Sequence, residues 1–342
     1  MNDPWSLDEG SFPRHAGATE QLRHLVRYAV LAPSSHNTQP WRFVLARERL
    51  ELHVDRSRCL PVVDPDDREL VISCGAALGH LEVAARHFGR EPIVERLPDP
   101  SQPDLLARIR LGAAHAPTSD DTRLFPAIMQ RRTTREIFSP IPVPAPLVAD
   151  IEAIGRAEGI AVHAVAERAR RDRIAALVAE GDRLQFADPA FRRELAEWIR
   201  SRRSARGDGT SADGFDVPDA LSGIGALFVR TFDVGRGVAA RDAEIAEGSP
   251  LLVVLASEED AADAWLGTGR VLSRLLLRAA ASDVTASYLN QPIENAPLRP
   301  RLVEAIDAVG HPQLLLRLGY SERGRPAARR PLEEVLQKGI LA

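Results

Sequence analysis

The sequence contains little cysteine and no long apolar run, and each absence excludes a class of protein. Its 342 residues include only two cysteines, Cys59 and Cys74, too few for a disulfide framework or a structural zinc site. No stretch approaches the roughly 18 consecutive apolar residues that a membrane-spanning helix needs. The amino terminus, "MNDPWSLDEGSFPRH", carries acids and prolines without an apolar core, which predicts no signal peptide. We therefore expect a cytoplasmic protein with no membrane partner.

An excess of positive charge is also lacking. The chain has 44 lysines and arginines against 48 aspartates and glutamates, a formal net charge of −4. Nucleic acid and anionic lipid attract basic surfaces, so this balance predicts no nucleic-acid partner. Any cluster of arginines must then serve a local purpose.

Several familiar catalytic motifs are missing as well. The sequence has no Walker A loop, no His-Glu-x-x-His and no Gly-x-Ser-x-Gly. The stretch "GTGRVLS" from Gly267 lacks the third glycine of a dinucleotide fingerprint and follows no strand pattern, so we expect its glycines to permit close helix packing. The histidines His24, His36 and His80 are scattered, and they predict no metal site.

The order of helix and strand patterns occurs twice along the chain. Each half has an amphipathic helix, short strands, an apolar helix containing glycine, and a strand ending in Leu-Gly, "ARIRLG" and then "QLLLRLGY". Because a chain of this length exceeds one ordinary core, the repeat predicts two related α+β lobes, residues 1–117 and 118–342. In the first helix, "GATEQLRHLVRYAV", Thr19 is the predicted N-cap.

Residues 203–223 differ from this pattern. The stretch is polar, rich in glycine and aspartate, and without sustained periodicity, so we expect it at the surface. Two interpretations stay open: a mobile linker, or a lid that lays the rings of Trp198 and Phe215 over a ligand.

Two arginine clusters are candidates for binding an anion. In "RRTTREIF", Arg131, Arg132 and Arg135 leave the end of a predicted helix together, and Thr133 adds a hydroxyl. A guanidinium group matches a phosphate with two parallel hydrogen bonds, which lysine cannot do. "RLGYSERGRPAARRP" offers a second pair, Arg329 and Arg330. Taken singly, these segments also fit a solvated basic turn and a basic tail.

Two polar segments are candidates for binding a planar heterocycle. In "APSSHNTQPW", Pro33 ends a helix and Pro40 imposes extended backbone, and short hydrogen-bonding side chains lie between them: Ser34, Ser35, Asn37, Thr38 and Gln39. Such a loop can surround the rim of a heterocycle, although an ordinary polar loop has the same composition. In "YLNQPIENAP", Pro292, Ile293 and Glu294 follow a buried strand, where backbone N–H groups can point at a ligand.

Together the four segments resemble one family, the FMN-dependent nitroreductases, and within it the long Acg-like members. The resemblance extends roughly from Gln21 to Leu336. In that family FMN lies at a subunit interface, with arginines on its phosphate and the proline-serine loop and Pro-Ile-Glu turn on its ring. The resemblance implies phosphate contacts from Arg131, Arg132, Thr133, Arg135, Arg329 and Arg330. It implies ring and ribityl contacts from Pro33, Ser34, Ser35, Asn37, Pro292, Ile293 and Glu294.

The order of the motifs departs from that of ordinary members. In those enzymes the arginine motif precedes the proline-serine loop, whereas here the loop lies in the first lobe and the motif opens the second. The resemblance therefore implies an internal pseudo-dimer with one FMN per chain, each lobe having an antiparallel-rich sheet flanked by helices. Asn295 also stands where these enzymes commonly have glycine, beside the backbone that approaches flavin N5. Further oligomerisation stays open.

The resemblance implies an NAD(P)H-dependent FMN oxidoreductase that reduces nitroaromatic or quinone-type acceptors by ping-pong two-electron transfer. Its partners would be a nicotinamide donor and a small-molecule acceptor. No catalytic side chain is expected, because flavin N5 carries the chemistry and the protein supplies position and electrostatics. One alternative is an FMN-sequestering or storage protein with a lid over the flavin and little turnover. Flavin fragmentation is a third.

Overall fold

Two large sheets, a short parallel pair of strands (Ile199–Arg200 with Thr210–Ser211) and the helices around them form an α+β fold. The computed structural model describes residues 4–200, 204, 206–211, 225–231 and 235–339. The strands are β1 Trp41–Ala46, β2 Arg49–Val54, β3 Arg90–Arg96, β4 Leu105–Ala114, β5 Ile160–Val165, β6 Ile199–Arg200, β7 Thr210–Ser211, β8 Leu251–Ser257, β9 Thr285–Tyr288, β10 His311–Gly319 and β11 Leu336–Lys338. The helices are α1 Ala18–Ala29, α2 Arg68–His87, α3 Ser119–Gln130, α4 Ala145–Ala157, α5 Arg168–Ala187, α6 Pro189–Trp198, α7 Gly225–Thr231, α8 Gly235–Gly248, α9 Ala262–Ala280, α10 Gln291–Glu294, α11 Arg299–Ile306 and α12 Leu332–Val335.

The first sheet has the strand order β11-β1-β2-β4-β3. Strands β1 and β2 form an antiparallel hairpin, and in β1 the side chains of Trp41, Phe43 and Leu45 are buried in alternation. All of its pairings are antiparallel except the parallel pairing of β11 with β1, which places Leu336 opposite Phe43. The carboxyl-terminal segment therefore returns to the first sheet, and this return positions the arginines that precede β11.

The second sheet is antiparallel throughout, with the order β5-β8-β10-β9. Strand β8 is buried at every residue, and β10 at every residue but its first. Alternate side chains enter two different hydrophobic clusters, one on each face of the sheet. Burial on both faces explains why these strands are continuous apolar runs in the sequence.

Helices α2 and α9 pack directly on each other between the two sheets. A Cβ atom added to Gly75 would lie 2.3 Å from the carbonyl oxygen of Leu266, and one added to Gly269 would lie 2.1 Å from that of Ile72. The prediction that the glycines around 267–269 permit close helix packing is confirmed at Gly269. Because α2 packs with the first sheet and α9 with the second, this contact holds the two sheets at a fixed distance.

Several local predictions require correction. Helix α1 begins after Gly17, which makes no side-chain cap, so the predicted N-cap at Thr19 is wrong. The Thr19 hydroxyl donates instead to the carbonyl oxygen of Arg47. The sequence patterns do not predict helix α5.

Phe215 and most of residues 203–223, the segment interpreted as a linker or a lid, lie outside the described residues. Among the described helices, none combines the length and apolar character needed to cross a bilayer.

The contact between α2 and α9 can be tested at one glycine. We expect Gly75→Ala to lower the free energy of unfolding by about 1–3 kcal/mol, because the added methyl group overpacks the helix interface. Gly237→Ala is the matched control, since Gly237 lies on an exposed part of α8 with no atom within 4 Å of an added Cβ. That change should be neutral or stabilise the helix by up to about 1 kcal/mol. Denaturant titration measures both; equal stability of Gly75→Ala and the unchanged protein would contradict the described packing.

Candidate functional site

An arginine that follows α3 and one from the carboxyl-terminal segment meet the backbone at the start of the proline-serine loop. Arg131, which follows α3, donates through Nη2 to the carbonyl oxygen of Leu31 at 3.3 Å. Arg329 donates to the same oxygen at 3.0 Å and to that of Ala32 at 3.2 Å. Two guanidinium groups from distant parts of the chain thus converge on the backbone just before Pro33.

Neither of the two converging guanidinium groups forms a salt bridge with a carboxylate of the described residues. Arg131 is 5% exposed and Arg329 is 6% exposed, and no carboxylate of the described residues acts on either charge. The Nε atom of each is buried without a hydrogen-bond partner in the described part of the chain. Burial lowers the pKa of Arg131 to about 10, and burial together with Arg131 and Arg132 lowers that of Arg329. Because buried unpaired charge is costly, this pair is suited to binding an anion.

Trp5 packs on the guanidinium groups of Arg132 and Arg329. Its ring centroid lies 4.2 Å from the guanidinium carbon of Arg132 and 4.9 Å from that of Arg329. Its indole N–H donates to the carbonyl oxygen of Ala327 at 2.9 Å, which ties the amino-terminal arm to the tail. Sequence reasoning missed Trp5, because a single tryptophan ahead of the first helix has no periodic pattern around it.

The remaining arginines and Thr133 have different surroundings. Arg330 donates to the backbone oxygen of Gln39 at 3.0 Å and lies 3.6 Å from the Asp55 carboxylate, so it holds the loop in place.

Arg135 lies near the carboxylates of Asp182 and Asp242. Thr133 pairs with Ala286 of β9 through a β-bridge, and its hydroxyl lies 3.5 Å from Nη1 of Arg131.

The proline-serine loop is shaped by contacts with distant segments. His36, Asn37 and Gln39 all have positive φ, at 47°, 54° and 52°, a conformation that non-glycine residues adopt at a cost. The Asn37 side chain offsets this by donating to the carbonyl oxygens of Gly209 and Ala328 at 3.0 and 3.1 Å.

Other polar groups of the loop, including Oδ1 of Asn37, also form hydrogen bonds with atoms of the protein. Asn37 Oδ1 accepts from Arg329 at 3.0 Å. The Ser34 hydroxyl oxygen accepts from the backbone N–H of Gln39 at 2.9 Å, and the side chain of Gln39 donates to the Gly207 carbonyl oxygen at 2.7 Å. The described part of the 203–223 segment therefore lies directly on this loop.

Glu69 joins the loop to the turn after β9. It is 2% exposed and lies in the first turn of α2. Its carboxylate accepts from the Ser35 hydroxyl, from Arg68 at 2.8 Å and from the side-chain amide of Asn290 at 3.0 Å. Sequence reasoning missed Glu69 because an acid at a helix start is ordinary on electrostatic grounds.

The Pro-Ile-Glu segment forms the single turn α10. Pro292 and Ile293 are buried. The backbone N–H groups of Ile293 and Glu294 donate to the Asn290 carbonyl oxygen at 2.7 and 3.0 Å, so these donors stabilise the turn instead of pointing outward. Asn295 donates through its side chain to the Gln291 carbonyl oxygen at 2.7 Å.

Glu294 borders a cavity. Burial and the nearby Glu69 raise the pKa of its carboxyl well above the usual range, and its Oε2 accepts from Gln185 at 2.5 Å. The cavity has a volume of about 590 Å³ and is also lined by Ile293, Arg68 and Trp265. This volume falls within the range of small-molecule sites.

Known proteins match this chain, and one family model matches the part that contains the proline-serine loop. The model of the Nitroreductase family matches residues 18–63, which include α1, the proline-serine loop and the first hairpin. The relative named "Putative NAD(P)H nitroreductase Rv3131", from Mycobacterium tuberculosis (strain ATCC 25618 / H37Rv), is 34% identical over 330 residues, covering 94% of this chain and 93% of the relative. "Putative NAD(P)H nitroreductase acg" from the same strain is 28% identical over 321 residues, covering 93% and 95%.

A solved structure also matches. The FMN and NADPH-dependent nitroreductase NfnB from "sphigopyxis sp. strain HMH" is 17% identical, with a TM-score of 0.43 over 64% of this chain and 99% of that chain. The sequence relatives match over nearly the full length of both chains. An identity of 34% over 94% of the sequence shows that this chain belongs to the nitroreductase family.

Proposed function

We propose that this protein binds one FMN per chain and uses NAD(P)H to reduce nitroaromatic or quinone-type acceptors by ping-pong two-electron transfer. The observation that carries the proposal is the buried pair Arg131 and Arg329, which converge on one carbonyl oxygen without a carboxylate partner among the described residues. The names of the relatives, NAD(P)H nitroreductases, support the same reaction.

The arginine pair fits the phosphate of FMN. A phosphate monoester carries nearly two negative charges and three strong acceptor oxygens, and the unpartnered Nε atoms of Arg131 and Arg329 are donors for them. Arg132 and Thr133 adjoin the pair and extend the phosphate site. Arg330 is better assigned to holding the loop, because it already has carboxylate neighbours.

The loop and the turn fit the ring end. Glu69 joins the loop and the turn through Ser35 and Asn290. We assign the ring contacts to residues of these two segments: Pro33, Ser34, Ser35, Asn37, Pro292, Ile293 and Glu294. One chain would then supply both halves of a site that other family members build from two subunits, as an internal pseudo-dimer. The place of Arg135 between the two ends is also part of this proposal.

The residues of the chain would bind the flavin, orient it and set the charge around its ring. FMN held by these residues would supply the two-electron redox chemistry. A raised pKa keeps the Glu294 carboxyl protonated over a wider pH range than usual, so this residue would place little negative charge beside a bound flavin. The cavity bordering Ile293 and Glu294 offers the acceptor a place to bind.

The alternative, an FMN-storage protein with little turnover, is not favoured, because relatives that match this chain over nearly its full length are named as reductases.

Phosphate recognition can be tested with paired ligands. We expect Arg131→Lys and Arg329→Lys each to weaken FMN binding about ten- to a hundredfold, because each loses a charge-assisted hydrogen bond worth about 1.5–3 kcal/mol. Riboflavin has no phosphate, so its affinity should be unchanged. Arg123→Lys, on the exposed side of α3, is the control and should bind FMN normally. Flavin fluorescence titration measures all of these; an unchanged FMN affinity in both site variants would contradict the assignment.

The reaction itself is tested by the colour of the bound flavin. We expect the absorbance of the FMN-loaded protein between violet and blue to fall under NADH or NADPH without oxygen, because the ring is reduced. Adding a nitroaromatic compound or a quinone should restore it. Flavin that stays oxidised with both donors would refute reductase activity and leave storage. A ring-cleaved product after aerobic reduction would instead indicate fragmentation.

A further inference from the structure

The hydroxyl of Tyr288 has no function in the site described so far. Tyr288 is the last residue of β9, and its hydroxyl oxygen is buried without a hydrogen-bond partner in the described residues. Buried tyrosine hydroxyl groups normally have such a partner, because an unpaired polar group loses its bonds to water. The hydroxyl therefore needs an acceptor.

Strand β9 runs from the segment that carries Arg131 toward the Glu69 carboxylate, which also binds the proline-serine loop. Ala286 pairs with Thr133, and its carbonyl oxygen accepts from the Thr134 N–H at 3.2 Å. Tyr288 follows two residues later and so lies on the same face of the strand as Ala286. Two residues further on, Asn290 bonds to Glu69. Tyr288 thus lies between the phosphate end and the ring end of the proposed site.

The charges acting on Tyr288 are those of this site. Arg131, Glu69 and Arg329 are the charged groups that influence its hydroxyl. Burial outweighs the two arginines and raises the pKa of Tyr288 above its usual value, so the hydroxyl keeps its proton and acts as a donor. Three buried donor atoms in one region, Nε of Arg131, Nε of Arg329 and Oη of Tyr288, then lack an acceptor in the described chain. A phosphate group offers acceptors for all three.

A second tyrosine shows that an unpaired hydroxyl alone is not sufficient. The Tyr28 hydroxyl is also buried without a partner in the described residues. Tyr28 packs against the rings of Phe88 and Phe125 at 5.7 and 5.0 Å, and neither Arg131 nor Arg329 acts on it. Of the two tyrosines, Tyr288 is the one that combines an unpaired hydroxyl with the charges of Arg131 and Arg329.

We propose that Tyr288 is a further binding residue, whose hydroxyl donates a hydrogen bond to the phosphate end of FMN beside Arg131 and Arg329. This assignment rests on the proposed function, because it needs FMN in the site. Tyr288 would then contribute to selection of the phosphorylated flavin over riboflavin.

The test replaces each buried tyrosine hydroxyl by hydrogen. Tyr288→Phe should raise the dissociation constant for FMN about tenfold or more, ~1.4 kcal/mol, and leave that for riboflavin unchanged. Tyr28→Phe should leave both constants within about twofold of the unchanged protein. Flavin fluorescence titration gives the constants, and inorganic phosphate is added as a competitor. The inhibition constant of inorganic phosphate against FMN should be higher for Tyr288→Phe than for the unchanged protein, because the hydroxyl that binds the phosphate group is missing.

The controls separate this inference from the proposed function. If the unchanged protein binds FMN no more tightly than riboflavin, the phosphate site and with it this inference are overturned. If the unchanged protein prefers FMN and Tyr288→Phe prefers it equally, only the role of Tyr288 is overturned. Equal weakening of both flavins by Tyr288→Phe would also overturn it, because that result indicates a structural role. Combining Tyr288→Phe with Arg131→Lys should cost less than the sum of the two single changes if both residues bind one phosphate.

Discussion

Two buried guanidinium groups that share one backbone carbonyl oxygen are the constraint on which the site depends. Arg131 and Arg329 both donate to Leu31, so residues 31, 131 and 329 must come within a few bond lengths of one another. Like charges brought together in a buried place repel and lose hydration. The surrounding fold has to offset this free energy in the absence of a ligand, and an anion would remove much of it.

Two features of the fold hold the three segments together. The pairing of β11 with β1 returns the tail to the first sheet, and this places Arg329 beside the loop. The close contact of α2 with α9 at Gly75 and Gly269 sets the distance between the two helices. Glu69 on α2 then spans the gap by accepting from the loop and from the turn after β9. Removing any of these contacts would separate the phosphate end from the ring end.

Much of the fold could be predicted because its elements have local signatures. The alternation in β1 and β2, the apolar lengths of α2 and α9 and the continuous runs of β8 and β10 follow from side-chain period and burial. The cap of α1 could not be predicted, because Thr19 has a competing acceptor, the Arg47 carbonyl oxygen, which only the folded hairpin supplies. Helix α5 was missed because its exposed charged residues obscure its apolar face.

For the site, the sequence by itself determined which groups were available: guanidinium groups, short polar side chains and a proline-fixed turn, since residue type sets charge and hydrogen-bonding capacity. Only the tertiary structure decided which of them face a ligand. It directed Arg330 to Asp55 and Gln39, and it used the N–H groups of Ile293 and Glu294 within their own turn. It also brought in Trp5, Glu69 and Tyr288. The physical reason is that a buried polar group is committed by whichever partner comes within about 3 Å, and for these groups that partner comes from a distant part of the chain.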